Sequence, residues 1–205
     1  EMVSQLANAI ITYLFNIIMM QLVGEHGVAA ITILLYGQFL FNAFYLGFTI
    51  GISPIVGFQY GARDKQKLRN IYHTSFLFVA VSSVFMAVIA IVLSPTIVTI
   101  FTDDPATYEL AAVGFRLFAI NFLFSGISIT SSGFFTALSN GTISAVISFC
   151  RTLGFIVLSL LILPKFLGIT GAWIAIPVAE FCTLLVTGVM HFVYFWKPGI
   201  RNYLR

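Results

Sequence analysis

The sequence predicts an all-α membrane protein with six transmembrane helices. Apolar residues make up 60% of its 205 residues and charged residues only 8%, against about 45–50% and 25% in an average soluble domain. A globule of this size cannot hide that much apolar surface, so lipid must solvate the outside of the fold. The apolar residues also form runs of roughly 20, the length that crosses a bilayer as a helix.

Six such runs follow one another, separated by segments rich in turn-forming residues. The breaks fall at 24–27, 57–70, 94–105, 139–141 and 164–171, where Gly, Pro, Ser, Asn and Asp cluster. The predicted spans are therefore 2–22, 28–52, 70–93, 109–136, 142–164 and 169–195. We expect them to pack as a single unit that occupies residues 1–205.

The basic residues lie almost entirely on one side of this predicted bundle. The segment between spans 2 and 3 and the tail hold Arg63, Lys65, Lys67, Arg69, Lys197, Arg201 and Arg205, whereas the opposite side holds Lys165. The positive-inside rule places the basic side in the cytoplasm, which predicts a multi-pass protein of the cytoplasmic membrane. The first helix then starts in the cytoplasm. Because the chain opens at Glu1 directly on an apolar helix, we expect a further segment to precede it.

Other classes of function have little support in the sequence. No basic patch interleaved with aromatic residues suggests a nucleic-acid partner. Cys150 and Cys182 lie inside apolar runs without metal-ligand spacing, so we interpret them as small buried hydrophobic residues. We expect neither a metal nor a cofactor, and we expect the lipid bilayer to be the main partner.

Polar side chains recur at steps of three and four on several predicted spans, which places them along a narrow arc of each helix. Two interpretations are open: Ser, Thr and amide groups can hold helices together, or they can line a shared water-filled cleft. The amides and the carboxylate favour the cleft. The candidate cleft residues are Glu1, Gln5, Asn8, Asn16, Gln38, Asn42, Tyr45, Asn121, Ser125 and Ser128.

Two charged residues are expected deep in the membrane. Glu180 lies near the middle of the sixth span and Arg151 lies early in the fifth. A carboxyl group at that depth must be protonated or paired. Glu180 is therefore either a proton carrier or the partner of Arg151 or of Arg116, which lies closer to the outer boundary.

The end of the second span carries a motif. Gly51, Pro54, Gly57, Gly61 and Ala62 match the pattern Gly-x-x-Pro-x-x-Gly-x-x-x-Gly-Ala, which resembles the signature of the MATE (multidrug and toxic compound extrusion) transporters. Further stretches are similar to the MepA-like branch of this family: the runs 1–8, 15–16, 27–30 and 168–173, together with Arg151, Pro177 and Glu180.

The resemblance implies a fold and a function. Family members have twelve spans in two six-helix lobes, and this chain resembles the carboxy-terminal lobe, so the missing amino-terminal lobe would be a partner. The implied activity is export of amphipathic, often cationic, organic compounds in exchange for H⁺ or Na⁺. Glu1 matches the acidic position early in helix 7 of the family, whereas Asn121 and serines occupy its acidic position on helix 10.

Three alternatives remain open at this stage. A flippase for lipid-linked saccharides would need a more cationic cleft than Arg116 and Arg151 provide. An intramembrane serine protease would need a contact between Ser125 and His191, whose depths differ along their helices. A half-size transporter would have to form its cleft by dimerisation.

Overall fold

The computed structural model describes residues 2–196, with side chains described for residues 7–194. Every regular element in this part of the chain is helical. The α-helices are α1 (Met2–Leu22), α2 (Glu25–Gly61), α3 (Lys65–Phe101), α4 (Pro105–Phe118), α5 (Phe122–Ala137), α6 (Gly141–Phe149) and α7 (Phe155–Trp196). A 3-10 turn over Ala119–Asn121 joins α4 to α5, and a π-helical segment over Cys150–Gly154 joins α6 to α7.

Four helical stretches are long and apolar enough to cross a membrane: Glu25–Gly61, Lys65–Phe101, Pro105–Ala137 and Gly141–Tyr194. The all-helical membrane fold is thus confirmed, while the count of six transmembrane helices is not. The predicted spans 142–164 and 169–195 lie in the stretch Gly141–Tyr194, and its helical backbone is interrupted between them at Gly168, where φ is 55° and ψ is −134°. Ala7–Leu22 is a shorter apolar helix.

The helices α2 and α3 extend well beyond the predicted spans 28–52 and 70–93. Pro54, which follows the predicted end of the second span, and Pro95, which lies in the predicted break 94–105, are both inside these helices. A proline is tolerated in a transmembrane helix because side chains and neighbouring helices satisfy the freed backbone groups. One turn beyond Pro95, the hydroxyl of Thr99 donates to the carbonyl oxygen of Pro95 at 2.8 Å.

Short turns connect the helices, and the last residue of three of them caps the next helix. The amide nitrogen of Lys67 donates to Asp64 Oδ1 at 3.0 Å, and that of Thr107 donates to Asp104 Oδ2 at 2.9 Å. Asn140 Oδ1 accepts in the same way from the first turn of α6. These side chains satisfy N–H groups that a helix start leaves unpaired.

The stretch Pro105–Ala137 is the central helix of the bundle. In an apolar 18-residue part of this stretch, 56% of the residues are buried. The corresponding share is 17–22% in the other three long stretches. Helices α2, α3 and α7 all pack against α5. Because the central helix contacts protein on most sides, its polar residues face other helices, whereas the outer helices expose large apolar side chains such as Phe85 and Leu77.

Small residues allow this close packing. A Cβ atom at Gly126 of α5 would lie 2.6 Å from Tyr45 Cε1 and 2.7 Å from Ser83 Oγ. Both of those side chains are buried. At Gly114 of α4 a Cβ atom would meet the buried ring of Trp173 at 2.9 Å. Small residues at helix contacts are the usual means by which membrane helices approach one another.

We therefore expect Gly126→Ala to destabilise the protein. The added methyl group has no free space against Tyr45 and Ser83, and such overpacking costs about 1–3 kcal/mol. Thermal unfolding in detergent would report this loss as a lower Tm. Gly188→Ala in α7 is the matched control, since nothing lies within 4 Å of a Cβ atom there. A Gly126→Ala protein that melts at or above the temperature of the Gly188→Ala protein would contradict this packing.

Candidate functional site

Four amide side chains lie on α1 and α2 at positions that helical spacing places on one side of each helix. Asn8 is exposed, and Asn16, Gln38 and Asn42 are half-buried. The oxygens Asn16 Oδ1 and Asn42 Oδ1 are buried and have no hydrogen-bond partner among the described residues. An unmatched amide oxygen in an apolar setting costs about 1–3 kcal/mol. Asn8, Asn16, Gln38 and Asn42, which we call the amide seam, therefore include two acceptor oxygens that the described residues neither expose nor pair.

Two other candidate residues cannot be located. Glu1 lies outside the described residues, and the side chain of Gln5 is not among those described. The backbone of Gln5 belongs to the first turns of α1.

The remaining cleft candidates lie inside the bundle. Tyr45, Asn121, Ser125 and Ser128 have no exposed surface. Asn121 Nδ2 donates to the Phe118 carbonyl oxygen at 2.6 Å, within the 3-10 turn that interrupts the central helix. They do not join the amide seam as one accessible surface, because Asn121, Ser125 and Ser128 lie on the enclosed central helix. Tyr45 belongs to α2 but packs against Gly126 of the central helix. Periodicity alone cannot separate a helix that faces a cleft from one that faces other helices.

The structure brings Arg151 and Glu180 together. Arg151 Nε donates to Glu180 Oε1 at 2.9 Å, which joins the π-helical segment to α7. The carboxyl group is almost fully buried, and its second oxygen, Oε2, has no partner in the described part of the chain. Arg116, the other partner considered for Glu180, is exposed at the end of α4.

A histidine clamp, formed by Tyr72, Ser131 and His191, joins three helices and was missed by the sequence reasoning. His191 Nδ1 lies 3.2 Å from the Tyr72 hydroxyl, and His191 Nε2 lies 3.0 Å from the Ser131 hydroxyl. Ser131 has no exposed surface. The sequence shows that aromatic residues surround these positions. It does not show that His191 contacts Tyr72, 119 positions away, or Ser131, 60 positions away.

The contact between Ser125 and His191 required by a serine protease is not formed. Both ring nitrogens of His191 bond other residues, and Ser125 Oγ has no partner among the described side chains. The serine that does contact the imidazole, Ser131, is enclosed by protein and offers no access to a peptide substrate.

A second polar cluster lies at the end of the bundle where α3 meets α4. Asp104 Oδ2 accepts a hydrogen bond from the Thr107 hydroxyl at 2.6 Å and lies 2.9 Å from His26 Nδ1. The hydrogen bonds from the Thr107 side chain and backbone, helped by the nearby His26, hold the pKa of Asp104 below its ordinary value of 3.8. The cluster ties the start of α2 to the start of α4. Among the described residues no group of three potential metal ligands is present.

The sequence and the fold both match known transporters. A family model described as MatE matches residues 2–161. Multidrug and toxin extrusion protein 1 of Homo sapiens is 27% identical over 143 residues, which is 67% of this chain and 24% of that protein. The chain therefore spans about a quarter of the length of this relative.

Solved structures share the fold at low identity. The bent form of the Vibrio cholerae MATE transporter VcmN superposes with a TM-score of 0.86 at 19% identity, over 98% of this chain and 45% of that one. A MOP superfamily transporter from Pyrococcus furiosus gives a TM-score of 0.86 at 19% identity, over 99% of this chain and 45% of that one. Since the MatE model covers more than half of the chain, the protein belongs to the MatE family of multidrug and toxic compound extrusion transporters.

Proposed function

We propose that this chain is the carboxy-terminal six-helix lobe of a twelve-helix exporter of the MepA-like branch. The chain covers 45% of each of the two solved transporters described above. The stretch Gly141–Tyr194 has 54 residues, about 80 Å of helix, which is far more than the roughly 30 Å of hydrocarbon that one crossing needs. We therefore count this stretch as two crossings that meet at Gly168. Together with α1, α2, α3 and Pro105–Ala137 they make six.

The observation that carries the proposal is the amide seam on an otherwise apolar surface. Lipid offers no hydrogen bonds to Asn8, Asn16, Gln38 and Asn42, so polar side chains on membrane helices tend to face protein or water. A second lobe that encloses a water-filled cleft against α1 and α2 would supply that environment. The missing amino-terminal lobe is the partner that we propose for this face.

The proposed activity is export of amphipathic, often cationic, organic compounds in exchange for H⁺ or Na⁺. The amide oxygens of the seam can accept hydrogen bonds from a cationic group. Exposed rings beside them, such as Tyr13 and Phe39, can contact an apolar body or the charge itself. Glu1 would attract the cation at the cytoplasmic end of α1. Coupling requires that ion and drug favour opposite states of the two lobes, and rocking of the lobes would provide alternating access.

We further propose that the protein resides in the cytoplasmic membrane, with the basic segment at 62–69 and the tail in the cytoplasm. The distribution of Lys and Arg supports this orientation. A lipid-linked saccharide flippase is less well supported, because it would need a more cationic cleft than Arg151 and Arg116 provide, and Arg116 is exposed at the end of α4. No nucleic-acid partner is proposed.

We expect Glu1→Gln in the full-length transporter to reduce export, because it removes the negative charge that we assign to cation attraction. The minimum inhibitory concentration of a cationic drug in an efflux-deficient host would fall severalfold toward that of the empty vector. Glu25→Gln is the matched control, since Glu25 is an exposed acid at the start of α2 and away from the amide seam. Wild-type resistance in the Glu1→Gln strain, at equal expression, would exclude this role for Glu1.

We expect the amide seam to face water in the assembled transporter. In a full-length protein lacking Cys150 and Cys182, a cysteine at Asn8 or Asn42 should react with a charged, membrane-impermeant thiol reagent, and substrate should slow the reaction. A cysteine at Val84 is the control, because Val84 is 56% exposed and lies on the apolar outer face of α3. If the seam positions were as unreactive as Val84, the cleft would have to lie elsewhere.

A further inference from the structure

Among the side chains that the structure describes, Arg151 has a partner for one of its hydrogen-bond donors. A guanidinium carries five N–H groups, and Arg151 uses its Nε to bond Glu180 Oε1 at 2.9 Å. Its two terminal amino groups have no hydrogen-bond partner within residues 7–194. The side chain of Arg151 is 17% exposed and that of Glu180 is 1% exposed. The guanidinium group of the pair is therefore partly accessible, whereas the carboxylate lies inside the protein.

This arrangement is incomplete at both ends. Donors on a charged group inside a membrane need acceptors, and such residues mark sites of function. Glu180 Oε2 is buried and also lacks a partner among the described residues. A carboxylate that served only to neutralise Arg151 would do so best by a two-oxygen contact with the guanidinium. The single-oxygen contact leaves the planar fork of the two amino groups open.

The backbone around Arg151 is also unusual. The π-helical segment Cys150–Gly154 interrupts the helical stretch at this residue. Such segments are rare and occur frequently at functional sites. The π-helical segment packs against α1, α6 and α7, so Arg151 lies on the part of the bundle next to the helix that carries one half of the amide seam.

A chain of hydroxyl groups leads toward the same segment from the end of α5. Thr136 Oγ1 lies 2.7 Å from Ser144 Oγ, which lies 2.9 Å from Ser132 Oγ, and Ser132 Oγ lies 2.7 Å from Ser148 Oγ. Thr136 is exposed, and Ser148 precedes Arg151 by three residues, about one helical turn. The interface between α5 and α6 therefore offers polar groups from the edge of the bundle to the neighbourhood of Arg151.

We infer that Arg151 is a binding subsite for an oxyanion, either a carboxylate or a phosphate, and that Glu180 positions it. The open fork matches the two oxygens of such a group. The ligand would be an amphipathic organic acid or zwitterion, or the phosphate of a lipid headgroup. This goes beyond the proposed export of cationic compounds, because it assigns to the protein a second ligand chemistry of opposite charge.

The test uses the purified full-length transporter in a neutral detergent and two fluorescent probes of one shape. The probes are dansylamino-undecanoic acid and its uncharged amide, and fluorescence titration gives both dissociation constants. Arg151→Gln should weaken binding of the acid about tenfold, the loss expected for a charged hydrogen bond, and leave binding of the amide unchanged. Lys165→Gln is the matched control, since Lys165 is an exposed cation in the same helical stretch.

Glu180→Gln separates positioning from a merely structural role. It keeps a hydrogen-bond acceptor for Arg151 Nε and removes the competing negative charge, so it should tighten binding of the acid. A structural loss would weaken binding of both probes. If Arg151→Gln fails to fold, the double variant Arg151→Gln/Glu180→Gln leaves no unpaired charge behind and should bind the acid no better than the amide.

The source of the oxyanion is decided by competition with phosphatidylglycerol. Displacement of the acid by this lipid, and retention of the lipid by the wild type but not by the Arg151→Gln protein, would identify a headgroup phosphate. Acid binding that the lipid does not affect would identify a soluble carboxylate. Equal binding of acid and lipid by wild-type and Arg151→Gln proteins would overturn the subsite. Export of a cationic dye by the wild type is measured separately, so failure of the proposed export leaves this result interpretable.

Discussion

Backbone hydrogen bonding inside hydrocarbon governs the rest of this structure. Lipid cannot pair with an N–H or C=O group, so each crossing segment must satisfy its own backbone by forming a helix. With every segment helical, the helices gain no hydrophobic driving force from contact and rely on close packing instead. The central stretch Pro105–Ala137 meets this need with small residues, and Gly126 lets α2 and α3 approach α5 closely enough for Tyr45 and Ser83 to touch it. The other helices keep large apolar faces toward lipid.

The helical fold could be read from the sequence because apolar runs of the right length admit few other structures. The helix ends could not, since Pro54 and Pro95 suggest turns in a soluble protein but are accommodated within α2 and α3. The π-helical segment at Cys150–Gly154 has no periodicity of its own and left no signal. Gly168, in contrast, lies within a predicted break and has the positive φ that favours glycine.

The sequence predicts which kinds of side chain form the candidate site, but it does not predict where the fold places each of them. Steps of three and four identify the polar face of a helix but not what that face meets, so Asn8 and Ser125 look alike in sequence although one is exposed and the other buried. Arg151 and Glu180 could be considered as partners because a membrane interior tolerates few unpaired charges. The histidine clamp combines residues from distant helices with ordinary polar side chains, and nothing in the sequence distinguishes them from others.

The three capped turns restrict where this protein can be modified. Asp64, Asp104 and Asn140 each end a turn and at once bond the first turn of the following helix. A peptide tag, a fluorescent protein or a protease site inserted after any of these residues would separate the cap from its helix. Engineers who wish to follow this protein in cells should therefore attach reporters at the end of the chain, or use single-residue labels on the exposed helix faces.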